Sequence, residues 1–582
     1  MKKTKIVATI GPASSKDETL GAMISAGVDV VRLNFSHGDH ASHKKELETV
    51  RRVREALDIP VATMLDTQGP EIRTGNLEGG EVELVEGEAF HLYAEKAPGT
   101  KEGVFQTYRD LWRDVSIGQR ILIDDGLIEL EVVGTEEGDV HTKVIYGGVL
   151  GEHKGINVPG ARINLPALTE KDIEDIRFGI EEGVDFIAAS FIRKKDDLLA
   201  IRDVLERFGG ESIKIIAKVE NKEGIDNMDD IVSFADGIMV ARGDMGVEIE
   251  TERVPIVQKQ LIEKSIREGI PVITATQMLD SMIRNPRPTR AEVADVANAI
   301  IDGTSAVMLS GETAMGKYPV DAVKTMARVA EVTEETLPSG SASKNDLLSF
   351  RVSTTNTVVE HAVEMADQLS CDAIVIATST GYSSRNLSKF RPKTDVFAVT
   401  EDETVLRQMN LQWGVRGVLG STRGSHIFED TARIVKRAGY IRDGDLVIMV
   451  AGIPQGVAGS TNVLKVHQVT SALHKGVGLG GGIHTGRVRP VTDDRGFVRD
   501  FSDGDILVAR AYHRELAPFL NRAGAFISEE EGLTSPSAIA GPESGTITVV
   551  GAVGIVDGIK PGDVMTVNGD TGEIFLGAVN TI

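Results

Sequence analysis

The sequence contains a single cysteine, Cys371, among 582 residues. One thiol cannot form a disulfide within its own chain, so a disulfide-stabilised scaffold is excluded and a reducing compartment is indicated. We interpret Cys371 as a small buried apolar residue rather than as a nucleophile. No signal-peptide pattern is visible, because an apolar strand pattern starts directly after the first three residues. These features predict a cytoplasmic protein.

Long apolar runs and an excess of positive charge are also missing. No run approaches the roughly 20 apolar residues that a membrane-spanning helix needs, so no membrane contact is predicted. Asp and Glu number 87 against 63 Lys and Arg, which gives a net charge of -24. This negative excess disfavours nucleic acid as a partner. Adaptation to a salt-rich cytoplasm is another source of acidic residues, and the sequence leaves it open.

The chain does have eight short apolar runs, each followed by polar residues and most separated by amphipathic stretches such as 16–26, 170–182 and 254–268. Such runs are typical of parallel strands that are buried on both faces. Eight alternations of strand and helix predict a TIM barrel, in which catalytic groups lie at the carboxyl ends of the strands. The runs begin at Lys5, Val28, Val61, Phe186, Ile215, Ile238, Pro271 and Ala306.

Three further segments interrupt or follow the barrel pattern. Short alternating strands with Gly and Asp turns predict a small inserted β-barrel that serves as a lid. After a Ser-rich linker at 338–345, strands and helices alternate again, which predicts a separate α/β domain. A Gly-rich entry then leads into a tail domain of short strands. The predicted boundaries are 1–70 and 167–340 for the barrel, 71–166 for the lid, 347–474 for the α/β domain and 476–582 for the tail.

Two neighbouring runs end in complementary charges. Lys218 and Glu220 are two residues apart and therefore point to the same side of a strand, while Asp244 follows the next run. An ammonium group beside two carboxylates is what metal-assisted transfer of an anionic group needs. In the alternative interpretation these residues only begin solvated loops, or Lys218 and Glu220 form a structural ion pair.

Seven motifs occur in one order along the chain. They are KIVATIGPAS at 5–14, RLNFSHG at 32–38, DTQGPEIR at 66–73, KGINVPG at 154–160, TATQML at 274–279, PRPTRAE at 286–292 and MLSGETA at 308–314. Together they resemble the pyruvate kinase family, over about residues 1–475 and including the domain order. The resemblance implies the last step of glycolysis, transfer of a phosphoryl group from phosphoenolpyruvate to ADP to give pyruvate and ATP, and it implies a homotetramer.

The resemblance also implies two cation sites. Glu220 and Asp244 would hold Mg²⁺ or Mn²⁺, which prefer hard oxygen ligands. A set of oxygen-bearing residues with one negative charge would hold K⁺. Many members of the family have lysine where this chain has Gln68, although Glu71 keeps the acidic residue associated with K⁺, so the K⁺ requirement is left open. The K⁺ set is Asn34, Ser36, Asp66 and Thr67, of which Ser36 and Thr67 are also explained as turn caps.

Substrate and nucleotide residues are implied in the same way. Arg32 and Lys218 would contact the phosphate. Thr276, placed at the enolate, would order a water or a proton relay. Ser310 and Glu312 could join that relay, and in the alternative interpretation they only support the barrel rim. The implied catalytic residues are Lys218, Arg32 and Thr276. The implied substrate-binding residues add Gly243, which leaves room beside the backbone, and Asp244, and the implied nucleotide-binding residues are Asn34, His37, Arg73 and Lys154.

A hydroxyl-rich loop follows the run Ala373–Ala377 and precedes a predicted helix. Backbone N–H groups at such a loop can bind phosphate, and the loop is similar to the family's allosteric site for a phosphorylated effector. A plain capped turn is the alternative. The residues are Thr378, Ser379, Thr380, Gly381, Ser383 and Ser384.

The tail resembles the swivelling phosphohistidine domain of phosphoenolpyruvate-using enzymes through residues 532–539. Pro536 stands where that domain has its phosphorylated histidine, so the tail is predicted to carry no phosphoryl group. The sequence also leaves two other functions open. The first is a related barrel enzyme, either an aldol-type lyase or a dikinase, and the second is a catalytically inactive regulatory protein. Proline in place of histidine at position 536 opposes the dikinase. The inactive protein is opposed by the presence of all the implied catalytic and metal-binding residues, namely Arg32, Lys218, Glu220, Asp244 and Thr276.

Overall fold

A computed structural model describes residues 2–161, 163–337, 353–422, 427–454, 459–469, 472–491, 498 and 500–579. The predicted linker at 338–345 lies outside these residues. The chain divides into two compact units. The first comprises Met1–Gln368, Ile374–Ile434 and Val450–Leu464, and the second comprises Leu369–Ala373, Val435–Met449 and Lys465–Ile582.

Eight parallel strands in the first unit close into the predicted TIM barrel. Each strand pairs with the next along the chain, and the last pairs back to the first, with Ala306 opposite Lys5. Buried side chains such as Met64, Met239 and Met308 fill the interior, so the barrel is a packed core rather than a channel. The strands are Lys5–Thr9, Val30–Asn34, Ala62–Asp66, Phe186–Ala189, Lys214–Val219, Gly237–Ala241, Val272–Ala275 and Ala306–Leu309.

Helices surround these strands and bury their apolar faces against them. The three amphipathic stretches named above form helices at Asp17–Ser25, Glu170–Glu181 and Val254–Glu268. Thr169 caps the second of these by accepting from the backbone N–H of Asp172. The other helices that follow barrel strands are His40–Leu57, Lys195–Phe208, Lys222–Asp226, Met228–Phe234, Arg242–Glu248, Arg290–Ile301, Gly311–Ala314 and Pro319–Thr336.

The insertion after the third barrel strand is almost entirely β, as predicted. Its core is formed by fully buried residues such as Phe90, Leu92 and Leu130. Seven strands form one sheet in the order Ile72–Arg73, Gly155–Asn157, Arg120–Ile123, Ile128–Glu136, Asp139–Tyr146, Ala89–Tyr93 and Gly103–Phe105. Glu81–Leu84 and Gly148–Gly151 form a separate two-stranded ribbon, and Leu111–Asp114 is a short helix.

Strands and helices alternate again after residue 353, as expected for an α/β domain. Two of these strands, Asp395–Thr400 and Val415–Leu419, pair in parallel. The remaining strands span Ala373–Ala377, Leu446–Gly452 and Thr461–Gln468, and the helices span Thr354–Gln368, Tyr382–Ser388, Glu403–Gln408 and Ile427–Arg437.

The tail forms one eight-stranded mixed sheet within the second unit. Pro536 is exposed and begins the helix Pro536–Glu543, whose first turn is capped by the Ser535 side chain. In sheet order the strands are His474–Lys475, Glu573–Leu576, Val564–Asn568, Ile483–Pro490, Ile506–Ala509, Ala525–Ser528, Ile547–Val550 and Val477–Leu479. Two further short helices are Ala517–Leu520 and Ile555–Gly558.

Among the described residues, none of the helices combines the length and the apolar character that crossing a bilayer requires.

Candidate functional site

The carboxyl ends of the barrel strands bring the predicted phosphate-binding cations together. Arg32 Nε lies 2.5 Å from Oδ2 of Asp66, and Lys218 Nζ lies 3.0 Å from Oδ1 of the same carboxylate. Arg32 also donates to the Thr9 hydroxyl at 2.9 Å. Arg32, Asp66 and Lys218 are all buried. One buried carboxylate therefore holds two cationic side chains in fixed positions at the rim.

Burial and charge act in opposite directions on these groups. Burial alone lowers the pKa of Lys218, but Asp66 and Glu220 outweigh burial and raise that pKa above its usual value. Burial alone raises the pKa of Asp66, but Arg32 and Lys218 outweigh it and lower that pKa. Both groups are therefore charged at neutral pH, so Lys218 presents a full positive charge.

Glu220 and Asp244 are the predicted ligands of the divalent cation. Glu220 Oε1 lies 2.9 Å from Lys218 Nζ, and Oε2 accepts from the backbone N–H of Phe191 at 2.7 Å. Burial raises the pKa of Glu220 to about 7, Lys218 opposes that shift, and Asp244 adds to it. The charge of Asp244 thus adds to the cost of ionising the buried Glu220. Such a donor pair fits a hard divalent cation, which would remove that repulsion.

Thr276 occupies a strained position beside these carboxylates. The φ angles of Thr276 (67°) and Gln277 (54°) both lie in the left-handed region. This conformation is unusual for a β-branched residue such as Thr276. The Thr276 hydroxyl accepts from the backbone N–H of Gly243 at 2.8 Å and donates to the carbonyl of Ala275 at 2.7 Å. Arg242 donates to the Thr276 carbonyl at 2.6 Å. These bonds join the loop of Thr276 to the turn that carries Asp244.

Gly243 lies at this junction, and the protein itself does not require glycine there. A Cβ on Gly243 would meet Thr276 at 3.6 Å, which is ordinary van der Waals contact. Steric need inside the protein therefore does not explain the missing side chain. Room for a substrate beside the backbone of Gly243 stays a prediction.

Ser310 and Glu312, the predicted relay partners, differ in their contacts. Glu312 is buried and accepts from the backbone N–H groups of Leu279 at 3.0 Å and of Ser310 at 2.7 Å. Burial raises its pKa. Glu312 thus supports the rim, which is the alternative left open by the sequence. The buried Ser310 hydroxyl has no hydrogen-bond partner among the described residues.

The predicted K⁺ residues meet at two adjacent strand ends. Asn34 and Asp66 are direct partners in the parallel register, and Ser36 and Thr67 follow them closely. Asn34 Oδ1 accepts from the backbone N–H of Ser36 at 3.1 Å, and Thr67 Oγ1 accepts from the backbone N–H of Ser190 at 3.2 Å. The Asn34 side chain therefore closes the turn at Ser36, whereas the Thr67 hydroxyl links two neighbouring strand ends.

The predicted nucleotide residues His37, Arg73 and Lys154 line one cavity of about 480 Å³ together with Asp244. Arg73 Nε donates to Glu71 at 2.6 Å, and Lys154 Nζ lies 2.9 Å from Asp124. Asn34, the fourth predicted residue, is not among those that line this cavity. The cavity therefore combines cationic side chains of the lid with Asp244, the predicted metal ligand at the barrel rim.

The hydroxyl-rich loop at 378–384 uses several of its groups internally. The Thr378 hydroxyl accepts from the backbone N–H of Gly381 at 3.0 Å. The buried Ser384 hydroxyl lies within hydrogen-bond distance of two acceptors, the carbonyl of Gly381 at 3.0 Å and Gln412 Oε1 at 2.8 Å. Ser383 lies 2.5 Å from the Thr461 hydroxyl. These bonds, together with the left-handed φ of 72° at Gly381, are typical of a capped turn, the alternative interpretation of this loop.

The exposed part of the loop remains available to a ligand. Ser379 and Thr380 are exposed. Thr380 and Arg385 line a cavity of about 160 Å³, and the buried Nε of Arg385 has no hydrogen-bond partner among the described residues. Burial lowers the pKa of Arg385. A buried guanidinium nitrogen without a partner favours an anionic ligand here.

Sequence reasoning missed two contacts of the site. Ser190, at the end of the fourth barrel strand, accepts from Lys218 Nζ at 2.7 Å through its hydroxyl. Asn157 of the lid donates to Glu248 of the barrel at 2.9 Å. The strand-end position of Ser190 was a signal that could have identified it. The pairing of Asn157 with Glu248 had no such signal, because it depends on how lid and barrel meet.

Comparisons with known proteins identify the same family along the whole chain. The family model described as "Pyruvate kinase, barrel domain" matches residues 1–323, "Pyruvate kinase, alpha/beta domain" matches 356–467, and "PEP-utilising enzyme, mobile domain" matches 501–572. Proteins named pyruvate kinase are 45% identical over 590 residues in Geobacillus stearothermophilus and 44% over 586 in Sporosarcina psychrophila. The one from Staphylococcus aureus strain MRSA252 is 46% identical over 594 residues. All three alignments cover 100% of both chains.

Proposed function

The chain belongs to the pyruvate kinase family, and we propose that it catalyses phosphoryl transfer from phosphoenolpyruvate to ADP through the rim residues around Lys218. The observation that carries this proposal is the position of Lys218, which is 3.0 Å from Asp66 and 2.9 Å from Glu220. A charged, buried ammonium group is thereby fixed beside the carboxylates that suit a divalent cation.

The reaction exchanges one P–O bond for another. The bond between phosphorus and the enol oxygen of phosphoenolpyruvate breaks, and a bond from phosphorus to a β-phosphate oxygen of ADP forms. Lys218 and Arg32 offer positive charge to the phosphoryl oxygens as negative charge shifts during transfer. Asp66 keeps both cations in place, so little reorganisation is needed at the moment of transfer.

Proton transfer completes the reaction, because the enolate carbon must take up a proton to become pyruvate. A threonine hydroxyl is a weak acid, and that of Thr276 already donates to the carbonyl of Ala275. We infer that Thr276 orders the proton-delivering water rather than giving up its own proton. The Ser310 hydroxyl, which no described residue pairs with, is the second group that could hold such a water.

We assign Glu220 and Asp244 to Mg²⁺ or Mn²⁺. A bound divalent cation would supply Lewis-acid charge to the phosphoryl and carboxylate oxygens of the substrate. The oxygen-bearing residues Asn34, Ser36, Asp66 and Thr67 are proposed to hold K⁺. Their assembly at adjacent strand ends supports that assignment. However, Thr67 and both oxygens of Asp66 also bond to other protein groups, so experiment must decide how strictly the enzyme requires K⁺.

ADP is proposed to bind in the cavity between His37, Arg73 and Lys154. Arg73 and Lys154 come from the lid, so their charges would reach the nucleotide phosphates and the lid would exclude water from the transfer. We also propose a phosphorylated effector at Ser379 and Thr380, a homotetrameric assembly, and a cytoplasmic location, which the single cysteine supports.

A coupled assay for pyruvate formed from phosphoenolpyruvate and ADP tests the activity directly. Activity that depends on ADP and on Mg²⁺ is the expected result. An aldol-type lyase would consume phosphoenolpyruvate or pyruvate without ADP, a dikinase would phosphorylate its own tail, and an inactive regulatory protein would show no turnover. Pro536 at the start of its helix leaves the dikinase without a phosphoryl carrier at that position.

A further inference from the structure

Two histidines and one aspartate meet on the lid sheet, outside the site described above. His91 lies on the strand Ala89–Tyr93, and Asp139 and His141 lie on the neighbouring strand Asp139–Tyr146. The two strands are antiparallel, and His141 is directly opposite His91. Asp139 is two residues before His141, so both side chains project from the same face of the sheet.

Their ligand atoms converge on one point. One ring nitrogen of each histidine and one oxygen of Asp139 all lie within 4.8 Å of one another. His91 Nδ1 and His141 Nε2 are each 3.9 Å from Oδ2 of Asp139. Ligands bound to one tetrahedral zinc at about 2.0–2.1 Å are separated by about 3.3 Å. To reach that geometry, the two His–Asp distances would shorten by about 0.6 Å, and the two histidine nitrogens would approach each other by up to about 1.5 Å.

Both converging ring nitrogens, and the second carboxylate oxygen of Asp139, lack other partners in the described part of the chain. His91 Nδ1, His141 Nε2 and Oδ1 of Asp139 are buried, and none of them has a hydrogen-bond partner among the described residues. Buried polar atoms are normally paired, so two unpartnered ring nitrogens that approach one carboxylate require an explanation. The remainder of each side chain is 26–30% exposed, which gives an ion access from solvent.

We propose that His91, Asp139 and His141 bind a divalent transition-metal ion of the zinc class. Imidazole nitrogens suit Zn²⁺, Co²⁺, Ni²⁺ and Cu²⁺, whereas Mg²⁺ and K⁺ prefer ligand sets made of oxygen. Three protein ligands leave a fourth position for water. The ring of Tyr93 lies 6.0 Å from that of His91 and nearly parallel to it, at 4°, and so helps to orient this ligand.

An ion at this position would join two strands whose histidines are fifty residues apart in the chain (141 minus 91). It would bind only when these strands are paired, so its binding would stabilise the folded lid. The site is separate in chemistry from the all-oxygen cation sites proposed for catalysis. Its failure would therefore leave the proposed phosphoryl transfer untouched.

The test is zinc binding to the intact protein by calorimetry, in buffer containing excess Mg²⁺ to occupy the Glu220 and Asp244 site. We expect one Zn²⁺ per chain in the wild type and at least a tenfold weaker affinity in His141→Gln and His91→Gln. The matched control is His361→Gln, which changes an exposed histidine on the helix Thr354–Gln368 and should bind Zn²⁺ as the wild type does. Thermal unfolding should shift upward with Zn²⁺ only in the wild type and the control.

Co²⁺ gives a second readout that depends on nitrogen ligands. Wild type with Co²⁺ should show visible absorption bands that are lost in His141→Gln. If a glutamine variant fails to fold, Asp139→Asn removes the anionic ligand with little change of shape, and pyruvate kinase activity reports that the variant is folded. Equal Zn²⁺ affinity in the wild type and all cluster variants, or no Zn²⁺ binding by the wild type, would overturn the proposal.

Discussion

Asp66 and Lys218 come from barrel strands that are two positions apart, yet Nζ of Lys218 lies 3.0 Å from Oδ1 of Asp66. Between those strands lies Phe186–Ala189, and Ser190 directly after it also accepts a hydrogen bond from Lys218. Three successive strands therefore determine where one ammonium group lies. A side chain held in this way is pre-organised for charge that develops during a reaction.

Lys218→Met should act mainly on the transition state. We expect kcat to fall roughly a hundred- to a thousandfold, as for loss of one preorganised donor, with a much smaller rise in KM for phosphoenolpyruvate. Steady-state kinetics with ADP and Mg²⁺ saturating measure both constants. Lys214→Met, at the opposite end of the same strand, is the matched control and should keep wild-type kcat. A loss confined to KM would instead make Lys218 a ground-state binding residue.

Asp244→Ala should abolish productive binding of the divalent cation. Loss of several kcal/mol of transition-state stabilisation corresponds to a decrease in kcat of about a thousandfold. Titration with Mn²⁺, followed through the signal of free Mn²⁺, should show weakened binding, while circular dichroism should show an intact fold. Asp229→Ala removes a carboxylate that is 80% exposed and should leave both readouts unchanged. Near-normal turnover by Asp244→Ala would exclude this residue as a metal ligand.

The barrel was predictable from the sequence because its signals are local. Runs such as 238–241 are apolar throughout and end in charges, which fixes both the buried strand and the reactive end. Lys218 and Glu220 could be placed on one side from their spacing alone. The functions of these residues came from the resemblance, since spacing alone also allows a plain ion pair.

Contacts across the fold could not be predicted in the same way. His91 and His141 become neighbours only through the register of two antiparallel strands, which the sequence does not specify. The strained φ of 57° at Phe191, which directs its N–H to Glu220, depends on packing around the rim. Such features follow from tertiary structure rather than from local pattern.

Response to a phosphorylated effector should depend on the exposed part of the loop at 378–384. Replacing both Ser379 and Thr380 by Glu places negative charge where phosphate would bind, so the response to a phosphorylated effector should be lost while unstimulated activity remains. The matched control is Ser233→Glu, an exposed serine at the end of a barrel helix. Rates are measured at subsaturating phosphoenolpyruvate, with and without each member of a panel of phosphorylated metabolites. A response equal to that of the wild type would move the effector site away from this loop.

Removal of the tail should leave the chemistry intact. The residues proposed for phosphoryl transfer all lie in the first unit, and the tail has Pro536 where a carrier histidine would be needed. A chain that ends at residue 475 should therefore turn over phosphoenolpyruvate and ADP at low temperature with a kcat within about threefold of the full-length value, because no group that contacts either substrate is removed.

The same truncation is expected to lower thermal stability or change the oligomeric state, since surface that the tail covers would meet solvent. Thermal unfolding and sedimentation velocity measure these two effects separately from turnover. Mass spectrometry of the full-length protein after incubation with phosphoenolpyruvate should find no phosphoryl group on the tail. A soluble, folded truncation with no turnover at saturating substrates, or a phosphorylated tail in the full-length chain, would show that this domain takes part in the chemistry after all.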